Sequence, residues 1–260
     1  MSHDITRILG EWEYDPNSNV REIWGDDGVC KIQVRIDQGA FQGILQLNLD
    51  GRPDGEKPHG FDFVLDYYCH LCEQREGEGE EFVLDSKACS ELFDESARIY
   101  GRYAFLLELR DYERVIRDTE RNISLFRFVN TYAEREEDRT NLEKWWPYIL
   151  RIRATARAML ASQEGAHDQA VEIVRQACDE IDQMPEVEAE EFFIERERSQ
   201  QVLETLEEEL QENRPLSQEE QLQRDLDAAI ERENFEKAAE LRDALKKLRD
   251  DELEGSKEQP

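Results

Sequence analysis

Two hydrophobic periods run along the chain, and one replaces the other after about residue 50. In CKIQVRID, apolar Ile32, Val34 and Ile36 alternate with polar Gln33, Arg35 and Asp37, and GILQLNLD repeats the alternation with Leu45, Leu47 and Leu49. A period of two belongs to a half-buried strand, so one face of a small sheet should be buried. GDDG at 25–28 and DGRPDG at 50–55 supply the residues of tight turns, and a strand near Val20 to Trp24 completes an antiparallel meander. Strand patterning then stops. After REGEGEE, ending near residue 81, the spacing becomes helical from Ser86 onward. Leu92, Ile99, Tyr103, Leu106 and Leu107 share one helix, and Val115, Ile116, Thr119, Ile123 and Phe126 share the next, beyond a corner at Arg110 and Asp111. Thr140 and Glu143 have capping-box spacing, which starts a third helix that Pro147 either kinks or truly begins. A fourth helix is expected from about Asp168 to Asp182, ending before Pro185.

From Glu186 to Arg214 there are 11 acidic and 3 basic residues around a thin seam of Leu203, Leu206 and Leu210, the pattern of a solvated helix of coiled-coil character. ENRPLSQEE breaks it at Pro215, and Ser217 with Glu220 gives a second capping box. The expected organisation is a small α+β domain with antiparallel strands (1–85), a helical-repeat-like domain (86–184), an acidic helix (185–214), a helical hairpin (215–252) and a disordered tail (253–260). The fold class is therefore mainly α with a small amino-terminal α+β domain.

The middle segment has a partial likeness to a known repeat. LRDYERVIRDTERN and GAHDQAVEIVRQACDEI resemble the second helix of tetratricopeptide hairpins, but their corners at Asp111 and His167 lie 56 residues apart, where a regular array has about 34. Two irregular hairpins fit better than a superhelix, and their aromatic stripe reads as core before it reads as a peptide groove.

Composition narrows the chemistry. With 63 acidic and 33 basic residues the formal charge is -30, which repels phosphate backbones and anionic lipid alike. MSHDITRILGEWEYD has neither a basic region nor an apolar core, no stretch approaches the length of a membrane span, and five cysteines form no disulfide framework. A cytoplasmic protein without direct nucleic-acid or membrane binding is expected.

YYCHLCEQ places Cys69 and Cys72 at half a zinc site, with His59, His70 and Cys89 as conceivable partners. No second CxxC or HxxxH completes it, so we read packed thiols ahead of zinc, and zinc ahead of redox chemistry. NLDGRPDG imitates the start of a calcium loop, but the third position would be Arg52 and the twelfth Phe61, where carboxylates are needed. A turn preset by Pro53 accounts for it, and an exposed Arg52 could contact a partner. His3, His59, His70 and His167 have no nucleophile at a recognisable spacing, and neither G-x-S-x-G nor a phosphate-binding G-x-x-x-x-G-K-[ST] occurs. No cofactor and no enzymatic activity are expected.

The carboxy-terminal hairpin is more specific. Leu222, Leu226, Ala229 and Ile230 form one stripe, Phe235, Ala238, Ala239, Leu241, Leu245 and Leu248 another, and EREN turns the chain between them. With Glu233, Glu236, Arg242 and Asp243 in place, this pattern resembles the UVR motif, the helical hairpin shared by the UvrB and UvrC subunits of bacterial nucleotide-excision repair. Asn234 stands where acidic residues are common and suits a helix N-cap. The resemblance implies protein contact without chemistry. The partner-binding residues would be Leu222, Leu226, Ala229, Ile230, Phe235, Ala238, Ala239, Leu241, Arg242, Leu245 and Leu248. A similar motif occurs in regulators of Clp proteases, including a zinc-containing activator whose repeated CxxC pairs this chain lacks. The remainder is similar to bacterial proteins known for carrying the motif, a likeness that supplies no activity. The leading expectation is an adaptor whose hairpin pairs with itself, as in a homodimer, or with another UVR hairpin. The alternative is a regulator of a stress-protease or repair machine holding zinc through Cys69 and Cys72.

Overall fold

The period-two segments form a meander of three antiparallel strands, β1 (Val20–Trp24), β2 (Cys30–Gln38) and β3 (Phe41–Asn48), in that order across the sheet. They belong to a computed structural model that describes residues 4–214 and 218–255, apart from the side chains of 218–220 and 249–255. The register sets Val20 opposite Val34 and Val34 opposite Leu45, so the apolar positions share one face. Ile32 and Val34 are buried there and Leu47 is half-buried, whereas Leu45 at the edge is exposed. On the opposite face Gln33 and Arg35 are buried too. A polar ladder explains Gln33: Arg21 donates to its Oε1 at 2.8 Å, and its Nε2 donates to Gln46 Oε1 at 2.8 Å. Arg21 also stacks over Trp12, which follows the short helix α1 (Thr6–Glu11).

A single 3-10 turn (Pro58–Gly60) leads to α2 (Val64–Gly77), and then α3 (Ser86–Glu108), α4 (Tyr112–Tyr132), α5 (Glu136–Glu143), α6 (Trp146–Gln163), α7 (His167–Asp182) and α8 (Glu190–Glu212) follow. Two local expectations are corrected. Thr140 is not a cap, because its hydroxyl bonds back to Glu136 O inside α5, and the next helix begins at Trp146 with Pro147 in its first turn, where a missing N–H costs nothing. The seam Leu203, Leu206 and Leu210 does not make a coiled coil. Leu203 and Leu210 are buried in the helical core and Leu206 packs against it, while Arg151 Nε donates to the buried Ser199 of the same helix.

The chain separates into two compact units, 1–210 and 211–260, with the division in the last turn of α8. Within the first unit the sheet shares its core with the helices: Ile32, Val34 and Leu49 pack with Ile99, Leu106, Val115 and Ile152. The change from sheet to helix near residue 85 is thus no gap in packing. A second, larger core joins α2 to α8.

Charged groups tie the turn after β3 to the helices. Arg102 and Asp118 are 1% and 2% exposed and pair through both oxygens, at 2.6 and 2.8 Å. Arg102 Nη1 also donates to Asn48 O and Gly51 O. Arg52 is not open to a partner: it is 7% exposed, donates to Asp54 and lies 3.5 Å from Glu95. Glu95, fully buried in α3, caps a different helix: it accepts Val64 N at 2.6 Å and Leu65 N at 3.0 Å, the first amides of α2. Burial pushes its pKa up, against the pull of those two amides.

Asp50 and Asp54 behave oppositely. Burial raises each, but Arg114 and Arg117 around Asp50, and the Glu56 amide with Arg52 and Arg98 around Asp54, prevail and hold both below the usual carboxylate range. Groups depressed in the folded state stabilise it above their unfolded pKa, near pH 4, and that contribution fades as pH falls through the folded value. Because Asp50 is more than half exposed, its share should be about 1 kcal/mol or less. Urea melts of wild type and Asp50→Asn are expected to differ by that amount at pH 7 and to converge as the pH falls from the unfolded carboxylate range through the depressed folded value. A difference that does not shrink on acidification would refute the assignment.

The second unit holds α9 (Gln218–Glu231) and α10 (Phe235–Gly255), which lie against one another. Its last helix therefore continues three residues beyond the expected end at 252, while the rest of the expected tail, 256–260, lies outside the described residues, as do Pro215 and Ser217.

Candidate protein-association site

The corner between α9 and α10 is built by backbone hydrogen bonds that only one chain path allows. Asn234 N donates to Ala229 O at 2.9 Å and Glu233 N to Ile230 O at 2.9 Å, with Glu233 at φ 56°, which is the Schellman end of a helix with a side chain where glycine is usual. Asn234 then starts the next helix, accepting Lys237 N at 3.2 Å through its Oδ1. The same corner occurs in the first unit. Asp111 N donates to Leu106 O with Arg110 at φ 59°, Asp111 Oδ1 accepts Arg114 N, and Ala166 N donates to Ala161 O after Gly165. These are the corners of α3–α4 and α6–α7.

Fixing the corner decides which hairpin residues turn inward. Ala229, Ala238 and Leu245 are buried, and Leu222, Leu226, Leu241 and Leu248 are half-buried. Small residues at 229 and 238, Ala in both cases, flank the corner. Ala239 and Arg242 are exposed, and Arg242 reaches Asp243 at 3.1 Å. Among the described side chains, two large apolar ones remain outside: Ile230 is 50% exposed and Phe235 69% exposed. The eleven residues read as one binding set are therefore divided between an inner packing group and an outer group headed by Ile230 and Phe235. Periodicity alone could not separate them, because both groups lie on broad apolar stripes.

The cysteine positions are not brought into a metal-ligand set. Cys69 is half-buried and Cys72 buried, one turn apart on α2, and Cys72 Sγ lies 3.5 Å from Glu76 Oε1. Cys89 is fully buried in the helical core. His59 stacks on Tyr67 and bonds Glu91 at 2.9 Å, while His70 lies against Phe61. Burial pushes all three thiols up, Cys89 to about 11, which opposes the thiolate that a metal requires. Among the described residues no group of three or more His, Cys, Asp or Glu converges on a metal position.

Sequence reasoning missed a cleft in the first unit. Its lining includes Tyr100, Tyr103, Asn122, Trp145, Tyr148 and Glu195. Helical spacing placed Tyr103 on an apolar stripe, and nothing local signals that packing leaves a space beside it.

Compared with known proteins, residues 220–251 match the UvrB/uvrC motif family, UVR. No curated protein and no solved structure matches the chain. The UVR motif is thus present in this protein, on α9 and α10. It is an interaction motif in UvrB and UvrC and carries no catalytic groups. No helix among the described residues is long and apolar enough to cross a membrane.

Proposed function

We propose that the chain is a non-catalytic cytoplasmic adaptor that joins a second protein, or a second copy of itself, through the hairpin of α9 and α10. The observation that carries this reading is the exposure of Phe235 and Ile230 on a motif whose other large apolar residues turn inward. An apolar pair left in water beside a polar rim is what a docking partner covers. The first unit, with its own two cores, would be the body that the hairpin recruits or tethers.

Sedimentation velocity of the full chain tests the proposal, alone over a range of concentrations and with a UVR hairpin of a UvrB-type protein added. We expect a larger species in at least one arm. A monomer throughout, taking up no added hairpin, would remove the basis of the reading.

Nucleic acid is not the expected partner. Non-specific binding draws its free energy from counterions released as basic residues neutralise phosphates, and a formal charge of -30 opposes that term. Gel-shift titrations with duplex and single-stranded DNA at physiological salt should leave the DNA unshifted at micromolar protein. Submicromolar binding would instead favour direct action in repair.

A further inference from the structure

The two edges of the sheet are finished differently. β1 is five residues long and carries Arg21 and Glu22, and a short, charged edge resists pairing. β3 is eight residues long and reads FQGILQLN, without a charge, a proline or a bulge, on a chain of which 37% is charged. An edge left open in this way is a template for another strand.

The ladder shows which groups that edge offers. Arg35 N donates to Asn19 O at 2.7 Å and Asn19 Nδ2 donates to Arg35 O, so the backbone of Arg35 turns towards β1. Val34 and Ile36 therefore turn towards β3, where Leu45 and Gly43 stand opposite them. Gln42, Ile44 and Gln46 direct their N–H and C=O outward, and nothing among the described residues bonds to those groups. Exposed apolar side chains accompany them: Phe41 is 69% exposed and Leu45 48%.

We propose that β3 pairs antiparallel with β3 of a second copy, joining the two meanders into one continuous sheet. The register that sets Ile44 opposite Ile44 of the second copy engages all three outward residues, with Gln42 facing Gln46 and each pair exchanging two backbone bonds. The side chains are self-complementary in that register. Gln42 spends its Nε2 on Asp37, and Gln46 accepts Gln33 through its Oε1, which leaves Gln42 an acceptor and Gln46 a donor. On the other face Leu45 comes to lie over Gly43 of the second copy, where an added Cβ would meet nothing but the Phe41 ring at 3.7 Å. Charge favours the same occupant. Chains at -30 repel one another except where an uncharged strip lets them approach, and a basic peptide drawn to that charge would find no carboxylate on β3. This contact belongs to the first unit and is additional to the hairpin's.

The full chain carrying Phe235→Asp, which silences the hairpin, provides the test. Sedimentation velocity should show reversible dimers as the concentration rises into the submillimolar range. Ile44→Pro takes away only an outward N–H, which an edge strand tolerates, and should weaken the dimer at least about tenfold once a thermal melt confirms a folded protein. Should that variant not fold, Leu45→Lys replaces it, since a charge at this exposed edge position should weaken pairing as much. Mild oxidation reads the register. Ile44→Cys should form a covalent dimer, because facing residues of a hydrogen-bonded pair stand about 5.5 Å apart at Cα, inside disulfide range. Gln42→Cys should not rise above the background set by the five native cysteines, because its counterpart lies four residues, roughly 13 Å, along the ladder. A monomer throughout overturns the proposal, as does a dimer that the folded edge variant leaves unweakened. Equal crosslinking of Ile44→Cys and Gln42→Cys defeats it too. The hairpin's own self-association is then read in the Ile44→Pro or Leu45→Lys chain, so that each contact is judged with the other silenced.

Discussion

Replacing Phe235 by Asp should weaken association of the chain, with itself or with a partner hairpin, by at least about a hundredfold, equivalent to roughly 2.7 kcal/mol. Phe235 is the first residue of α10 after the Asn234 cap, and 69% of its surface is exposed. Fully burying a Phe or Ile side chain contributes roughly 1.5–3 kcal/mol, and with 69% of Phe235 and 50% of Ile230 left to cover, a symmetric pairing of two copies would gain about 4–7 kcal/mol from them. Association costs an estimated 4–15 kcal/mol, which leaves little surplus, and loss of one aromatic per copy removes it. Aspartate adds a further penalty, an unpaired charge in an apolar contact on a chain already at -30. The variant should nevertheless fold. Phe235 contributes little to the packing within one hairpin, and an acidic residue in the first turn of a helix interacts favourably with the helix dipole. Light scattering and sedimentation of wild type and Phe235→Asp decide the matter, with circular dichroism confirming equal helicity. Equal association of the two folded proteins would show that the contact lies elsewhere.

The two periodicities foretold the kinds of element well, because each reports one local geometry. Alternation at 30–37 can be satisfied only by a strand, and the spacing from 86 to 126 only by helices broken near Arg110. Less was legible wherever a residue's role depends on distant chain. Nothing around Arg52 indicates that Glu95, 43 residues on, will lie against it, nor that Glu95 will cap α2. Thr140 has the right spacing for a cap, but α5 forms around it. On the hairpin, motif likeness identified α9 and α10 together, yet the division between inward Leu245 and outward Phe235 follows from the corner at Glu233, whose left-handed backbone no glycine announces. The acidic helix α8 was misjudged for a related reason. Its apolar residues are few, but Phe192 and Leu203 are fully buried, and sparse seams can pack as well as dense ones when a neighbouring surface complements them.

Asp118→Ala should be the most destabilising single change in the first unit, costing about 3–5 kcal/mol in a urea melt. The carboxylate accepts Nε and Nη2 of Arg102, one on each oxygen, and Arg117 Nε adds a third contact at 3.0 Å. Its removal strands a guanidinium that is 1% exposed, and such a charge can neither shed its proton nor reach water. Two carbonyl partners, Asn48 O and Gly51 O, would remain, but neutral oxygens do not replace a full negative charge. The consequences should reach beyond α3 and α4, because the same arginine holds the turn after β3, and Arg117 donates to Leu49 O beside it. Amide exchange should therefore accelerate in β3 as well as in the two helices. Changing both partners, Arg102→Leu with Asp118→Leu, removes the stranded charge and should recover part of the loss, leaving the cost of the two unpaired carbonyls. A cost for Asp118→Ala below about 1 kcal/mol, or a double variant less stable than the single one, would mean that the pair does not join sheet to helices in the way the geometry implies.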